Sequence, residues 1–172
     1  KEPMPAPTKP RIFVVANQKG GVGKTTTTVN IAAALSMGGL KVLVIDLDPQ
    51  GNASTALGVE HRISMGVYEV LMGNAEIKDV IQKCAGFPVL DCIPSNTSLA
   101  QAEINLVSMV ARESRLKDAL NEIAANYDYI FIDCPPSLGL LTVNAFAAAG
   151  EVLIPIQCEY YALEGLSQVL ET

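Results

Sequence analysis

Glycines, lysines and hydroxyl side chains are concentrated in one short run, Asn17-Gln-Lys-Gly-Gly-Val-Gly-Lys-Thr-Thr26. Successive glycines let backbone N–H groups turn toward one anion, and the start of a helix adds partial positive charge there. Lys24 is spaced to reach the outer phosphates of ATP, and the Thr25 hydroxyl to ligate Mg²⁺. The run therefore predicts a P-loop. Its expected nucleotide contacts are Gly20, Gly21, Val22, Gly23, Lys24, Thr25 and Thr26.

Position 18 departs from the general P-loop pattern G-x-x-x-x-G-K-[ST], which has glycine there. This chain has Gln18 and then a second lysine, Lys19, five residues before Lys24. Because Lys24 already serves the phosphates in cis, Lys19 is a candidate for a separate role at the nucleotide. The alternative is that Lys19 is a solvated loop residue.

Two carboxylates follow the second apolar run, in Ile45-Asp-Leu-Asp-Pro-Gln-Gly-Asn52. Alternation along a strand places Asp46 and Asp48 on the same face, at the edge where parallel sheets bind ligands. Carboxylates there are suited to hold an attacking water and to organise the shell of a Mg²⁺ ion. The composition of residues 48–51 also fits a simple turn, and the sequence leaves both interpretations open.

A third carboxylate ends another apolar run, Tyr129-Ile-Phe-Ile-Asp133, which Cys-Pro-Pro-Ser137 follows. At the end of a buried strand, Asp133 is expected to bind Mg²⁺, directly or through water. The alternative is an aspartate that caps the next turn. The Pro-Pro pair stiffens a loop expected near the phosphates, which makes that loop a candidate second switch.

The elements that must position these residues alternate along the chain. Continuous apolar runs of Val, Ile and Phe are typical of strands covered on both faces. The predicted strands are residues 11–16, 41–46, 89–93, 129–133 and 151–156. The predicted helices are residues 24–37, 67–71, 77–82, 100–126 with a break, 141–149, and 163 to the end. This repetition predicts an α/β fold with a doubly wound, mostly parallel sheet of the P-loop type.

Length and local composition suggest one domain in the 172 residues. Residues 1–10 carry four prolines and are predicted to be a flexible lead-in, with the P-loop ATPase domain over residues 11–172. Residues 170–172 continue a helical pattern without a stop signal. The domain is therefore expected to lack its last strands and helices.

Composition argues against several classes of protein. Hydrophobic residues make up 49% and charged residues 17%, so the chain as a whole is not disordered. A net charge of −6 argues against strong nucleic-acid binding by this segment alone, because neutralising phosphates needs clustered Lys and Arg. Cys84, Cys92, Cys134 and Cys158 form no CxxC pair. Their spacing favours free thiols in a reducing cytoplasm over disulfides or a metal cluster.

The run from Lys19 to Thr26 resembles the deviant Walker A motif of the ParA/MinD family of ATPases. Other segments resemble the chromosome and plasmid partition branch (ParA/Soj-type) more than the MinD branch. These segments are Asn17-Gln18, residues 48–52, residues 132–140, and Glu159-Tyr-Tyr-Ala-Leu-Glu-Gly165. The resemblance spans nearly everything from Arg11 to the end. A role like that of the nitrogenase iron protein is set aside, because no cysteine lies in a convincing setting for a shared cluster.

The resemblance implies roles for individual residues. Lys19 would cross a dimer interface and contact the phosphates bound to the other subunit, so that the homodimer depends on ATP. Asp48 would position or activate the attacking water, with Asp46 and Asn52 supporting it. Glu159 would lie near the ribose of the partner's nucleotide.

The resemblance also implies a function, a Mg²⁺-dependent ATPase that acts as a dimerisation switch in DNA partitioning. The ATP-bound dimer would bind DNA without sequence preference, through a C-terminal part absent here, and a ParB-like centromere-binding protein would stimulate hydrolysis. The protein would be cytoplasmic, on the nucleoid when ATP-bound, with no membrane partner. Two alternatives stay open: a positioning protein for a non-DNA cargo, and a membrane-associated regulator of the MinD kind.

Overall fold

The computed structural model describes residues 2–17, 23–62, 64–156 and 170–171. The strands within these ranges are β1 (Arg11–Val15), β2 (Val42–Asp46), β3 (Gln82–Lys83), β4 (Leu90–Ile93), β5 (Tyr129–Asp133) and β6 (Glu151–Leu153). They form one sheet in the order β3-β4-β2-β5-β1-β6, in which every neighbouring pair is parallel except β3 with β4. The prediction of a mostly parallel sheet is confirmed.

Helices cover both faces of this sheet. They are α1 (Lys24–Met37), α2 (Asn52–Ala56), α3 (Val67–Met72), α4 (Ala102–Leu106), α5 (Arg115–Leu120) and α6 (Leu140–Ala148). Along β2, Val42 and Val44 are buried in the core that contains α1 and α2, whereas Leu43 and Ile45 are buried in the core formed with α3 to α6. Burial on both faces explains why the strands are continuous apolar runs.

The helix predicted over residues 77–82 is wrong. A short 3₁₀ helix spans Ile77–Val80, and Gln82 belongs to β3, where it pairs with Cys92 of β4 in antiparallel register. The side chain of Gln82 also exchanges two hydrogen bonds with the backbone of Glu60, at 3.1 and 2.7 Å. Tertiary pairing therefore overrides the local apolar spacing that suggested a helix.

The predicted break in the helix over residues 100–126 is wide. A 3₁₀ helix at Thr97–Gln101 leads into α4, α5 follows only at Arg115, and a second 3₁₀ helix covers Ala124–Asn126. Between α4 and α5, Ala111 has a left-handed backbone with φ of 53°. Helix α2 is not among the predicted helices, because its five residues, NASTA, show no apolar periodicity. The helix predicted from residue 163 lies outside the described residues, apart from residues 170–171.

Residues 2–10 contain neither helix nor strand, although the backbone N–H of Met4 donates to the carbonyl of Gly38 at 3.1 Å. The domain boundary at residue 10 stays a prediction. Cys84, Cys92 and Cys134 are free and buried, and Cys158 lies outside the described residues. In the part of the chain that is described, no helix combines the length and the apolar character needed to cross a membrane.

Candidate functional site

Three adjacent strands bring the predicted site residues to one edge of the sheet. Strand β5 lies between β2 and β1, and its last residue, Asp133, is in register with Asp46 on one side and Val15 on the other. Because all three strands are parallel, their carboxyl ends open onto the same edge. The predicted P-loop follows β1, the acidic turn follows β2, and the proline-containing loop follows β5.

The first turn of α1 faces this edge. Gly23 precedes the helix with φ of 77°, a left-handed conformation that glycine adopts without strain, and its carbonyl accepts the first helical hydrogen bond from Thr27. Lys24 is only 8% exposed, whereas Thr26 lies on the exposed side. Lys19, Gly20, Gly21, Val22 and Glu159 lie outside the described residues, so their assigned roles stay predictions.

Lys24 and Thr25 both contact the carboxylate of Asp133. The Lys24 ammonium donates to Asp133 Oδ1 at 3.2 Å, and the Thr25 hydroxyl donates to Oδ2 at 2.8 Å. Burial raises the pKa of Asp133, and these two donors oppose that rise. The three residues assigned to phosphate and Mg²⁺ binding therefore form one bonded group, although residues 24–25 and 133 are far apart in sequence.

Asp48 belongs to a turn and also faces Lys24. Its Oδ1 accepts the backbone N–H of Gln50 at 3.0 Å, and its carbonyl accepts that of Gly51 at 2.9 Å. Its other oxygen, Oδ2, lies 3.9 Å from the Lys24 ammonium. The two interpretations that the sequence left open are thus compatible, because one oxygen holds the turn while the other points to the cation.

Asp46 has a different setting, although it is two residues away. Its Oδ2 accepts from both the backbone N–H and the hydroxyl of Ser54, at 2.8 and 2.6 Å, and its Oδ1 accepts from the N–H of Asp48 at 3.2 Å. The same Ser54 hydroxyl accepts from the N–H of Ser95 at 3.1 Å, just beyond β4. Burial raises the pKa of Asp46 to about 7, against the effect of these hydrogen bonds. Asp46 thus ties β2 to the first turns of α2.

Among the described residues, buried carboxyl groups outnumber buried cations at this edge. Asp46, Asp48 and Asp133 are at most 6% exposed, and within the described residues Lys24 is the only buried cation beside them. Buried carboxylates without enough counter-charge are costly and attract a cation. The described residues contain no group of three His, Cys, Asp or Glu that could hold a metal alone. Mg²⁺ usually takes one or two carboxylates plus phosphate oxygens, so Thr25 and Asp133 fit a Mg²⁺ ion that arrives with a nucleotide.

The loop after Asp133 is anchored at both ends and exposed in the middle. Cys134 donates its N–H to the carbonyl of Val15 at 3.2 Å, and Pro135 is buried. Residues 136–138 are exposed, and the Thr142 hydroxyl then donates to the carbonyl of Ser137 at 2.6 Å. This arrangement is compatible with the predicted second switch, which stays a prediction.

Sequence reasoning missed two side chains that support the site: Ser54, which holds Asp46, and Glu103 of α4, which binds the start of α6. It named Asn17 but did not predict that its Nδ2 donates to the carbonyl of Pro155 at 2.8 Å. Ser54 could have been suspected, because it follows Asp46 by eight residues within a polar stretch. Glu103 carries no local signal, because its partners lie 37 and 38 residues further along the chain.

The chain is similar to several known proteins over most of its length. The chain is 55% identical over 163 residues to the sporulation initiation inhibitor protein Soj of Bacillus subtilis, and it covers 64% of that protein with 94% of its own length. It is 52% identical over 163 residues to the chromosome partitioning protein ParA of Myxococcus xanthus, with 94% of the chain and 57% of that protein covered. The chain thus spans less than two thirds of these curated relatives.

A solved structure is also similar. It is described as cobyrinic acid a,c-diamide synthase from Mycobacterium smegmatis with bound ADP and magnesium, and it matches at a TM-score of 0.88 with 43% identity. The match covers 94% of this chain and 65% of that one. Residues 10–172 match the model of the AAA_31 family, described as an AAA domain. The chain therefore belongs to the AAA_31 family, and the curated relatives that it resembles include Soj and ParA proteins.

Proposed function

We propose that the whole protein is a Mg²⁺-dependent ATPase that acts as a nucleotide-controlled dimerisation switch in chromosome or plasmid partitioning. The observation that carries this proposal is the group formed by Lys24, Thr25, Asp133 and Asp48 at the carboxyl edge of the sheet. The partitioning names come with identities of 55% and 52%, against 43% for the protein described as a synthase. Partitioning is therefore the better supported process.

Each residue of the group has a role in this proposal. Lys24, whose ammonium lies 3.2 Å from Asp133 and 3.9 Å from Asp48, binds the β- and γ-phosphates of ATP. Thr25 and Asp133 then hold the Mg²⁺ ion, directly or through water. When bound, the ion supplies positive charge that screens the phosphates. Asp48 keeps its turn through Oδ1 and uses Oδ2 to orient the attacking water.

The dimerisation part of the proposal comes from residues outside the described ranges. Lys19 contacts the phosphates of the other subunit, and Glu159 lies near the partner's ribose. ATP thereby joins two protomers, and hydrolysis separates them. A ParB-like protein stimulates hydrolysis, and the ATP-bound dimer associates with the nucleoid. DNA contacts are assigned to the rest of the protein, since this segment carries a net charge of −6.

The test follows the full-length protein by analytical ultracentrifugation without nucleotide, with ADP, and with ATP, each with and without non-specific duplex DNA. We expect a dimer only with ATP and Mg²⁺, and binding of that dimer to DNA. Lys19→Ala should bind ATP as a monomer, whereas Lys9→Ala, in the segment before β1, should dimerise like the wild type. An oligomeric state that is the same with and without ATP in every condition would contradict the proposal.

Two other outcomes would redirect the proposal. An ATP-dependent dimer that does not bind DNA would support a positioning protein for a non-DNA cargo. An ATP-dependent dimer that binds anionic lipid vesicles would support a membrane-associated regulator of the MinD kind.

A further inference from the structure

Glu103 of α4 supplies the N-terminal cap of α6. Its Oε2 accepts the backbone N–H of Leu140 at 2.6 Å, and its Oε1 accepts that of Leu141 at 3.2 Å. The first N–H groups of a helix have no partner within the helix, and a carboxylate is their strongest acceptor. The residue at the cap position itself is Gly139, which has no side chain, and the first turn of α6 carries no acidic residue. The cap of α6 therefore comes from a distant helix.

The Glu103 carboxyl group occupies the space that a side chain at position 139 would need. The backbone of Gly139 has φ of −81° and ψ of −170°, which any residue adopts, so the glycine is not needed for backbone strain. The three heavy atoms nearest to a Cβ placed there all belong to the Glu103 carboxyl group, at distances no real contact allows. A side chain at position 139 would thus displace the carboxylate from the N–H groups of Leu140 and Leu141.

The N-terminus of α6, which Glu103 caps, is also where the loop that follows Asp133 ends. Residues 134–139 run from the carboxylate bonded to Lys24 and Thr25 to the first turn of α6. The near end is fixed by β5 and by the bond from Cys134 to Val15, whereas residues 136–138 are exposed. Glu103 consequently fixes the far end of a six-residue segment whose other end is a proposed Mg²⁺ ligand.

We propose that Glu103 is a positioning residue for ATP hydrolysis, which acts by holding the loop 134–139 through the N-terminus of α6. This inference rests on the proposed ATPase function. Lys24, Thr25 and the P-loop, which are assigned to nucleotide binding, do not depend on Glu103. Releasing the cap therefore lowers kcat and leaves the affinity for ATP nearly unchanged, because small displacements in an active site reduce rates more than binding.

The test uses steady-state kinetics of the full-length protein, with ATP affinity and melting temperature measured on the same samples. Glu103→Ala should lower kcat about tenfold with KM within about twofold of the wild type. Glu103→Gln keeps one carbonyl oxygen as an acceptor and should give a smaller loss. Glu122→Gln, an exposed change after α5, is the matched control and should leave kcat unchanged.

Gly139→Ala provides an independent route to the same state. Alone, it should lower kcat about as much as Glu103→Ala, because it displaces the carboxylate without replacing it. In the double variant, Gly139→Ala should cause little further loss, since the group that it displaces is gone. Should Glu103→Ala fail to fold, Glu103→Gln and Gly139→Ala still decide the question.

The outcomes separate the two proposals. A wild-type protein that binds no ATP and hydrolyses none overturns the ATPase proposal, and the role of Glu103 falls with it. An active wild type whose Glu103→Gln and Gly139→Ala variants keep its kcat overturns the role of Glu103 alone. A lower melting temperature with unchanged kcat would likewise show that the cap only stabilises the fold.

Discussion

The carboxyl and amino edges of the sheet have ion pairs in opposite settings. At the carboxyl edge, Lys24 meets Asp133 with side chains that are 9% and 0% exposed. At the amino edge, Arg11 meets Glu151 at 2.5 Å with side chains that are 43% and 39% exposed, and its guanidinium lies over Phe13, 4.9 Å from the ring centroid. The exposed pair joins one cation to one carboxylate in contact with solvent, whereas the buried pair lies beside further carboxyl groups, which outnumber the cations among the described residues. A short distance alone is thus a poor guide to the energetic importance of an ion pair, and burial distinguishes the two pairs better.

The largest effect is expected from Lys24→Ala. The change leaves Asp133 and Asp48 buried without their cation, which costs about 3 kcal/mol or more of the free energy of unfolding, and it removes the phosphate ligand. ATP binding measured calorimetrically on folded protein should be lost. Lys117→Ala, an exposed change on α5, is the control. Tight ATP binding by Lys24→Ala would overturn the assignment of the P-loop.

The Asp48→Asn variant distinguishes the role of Asp48 in the turn from its proposed role in hydrolysis. Asparagine keeps an oxygen for the N–H of Gln50, so the turn should survive, while the loss of charge removes the group that orients water. The kcat of hydrolysis should fall about a hundredfold with ATP still bound, and the ATP-dependent dimer should persist. Asp79→Asn, at an exposed position, should have no effect. Normal turnover by Asp48→Asn would mean that Asp48 is only a turn residue.

Ser54→Ala tests the support of Asp46. It removes the hydroxyl that donates to Asp46 Oδ2 and accepts from the N–H of Ser95, which should reduce the free energy of unfolding by about 1.5–3 kcal/mol in chemical denaturation. Ser36→Ala is a matched control, because its buried hydroxyl has no hydrogen-bond partner within the described residues. That change should be neutral or slightly stabilising. Equal losses for the two variants would contradict the role given to Ser54.

The smallest effect is expected from Arg11→Ala at the amino edge. The pair with Glu151 is exposed and screened by salt, so the change should leave ATP affinity and kcat unchanged. The melting temperature should shift much less than in Lys24→Ala, and less still at high salt. A loss of ATPase activity would show that the amino edge influences the site, against the comparison made above.

The elements that could be predicted from the sequence are those with a recognisable local pattern of residues. Continuous apolar runs located β1, β2, β4, β5 and β6, and the spacing of Lys24 and Thr25 located the start of α1. It did not predict β3, because a strand of two residues exists only through its pairing with β4. It also did not predict Glu103, since no local pattern links a residue of α4 to the amide groups of α6. Contacts between distant segments could thus not be predicted where neither segment contains a recognisable sequence motif.

The measurement that tests the central claim most directly is equilibrium binding of ATP to the full-length protein, with Mg²⁺ and with EDTA, for the wild type and Asp133→Asn. If Asp133 and Thr25 receive the Mg²⁺ ion while Lys24 binds the phosphates, Mg²⁺ should strengthen binding to the wild type by tenfold or more. Asp133→Asn should lose most of that gain. Equal ATP affinity with Mg²⁺ and with EDTA in the wild type would contradict the assignment of Asp133 and Thr25 as the Mg²⁺ site, and no binding of ATP in either condition would contradict the nucleotide site as well.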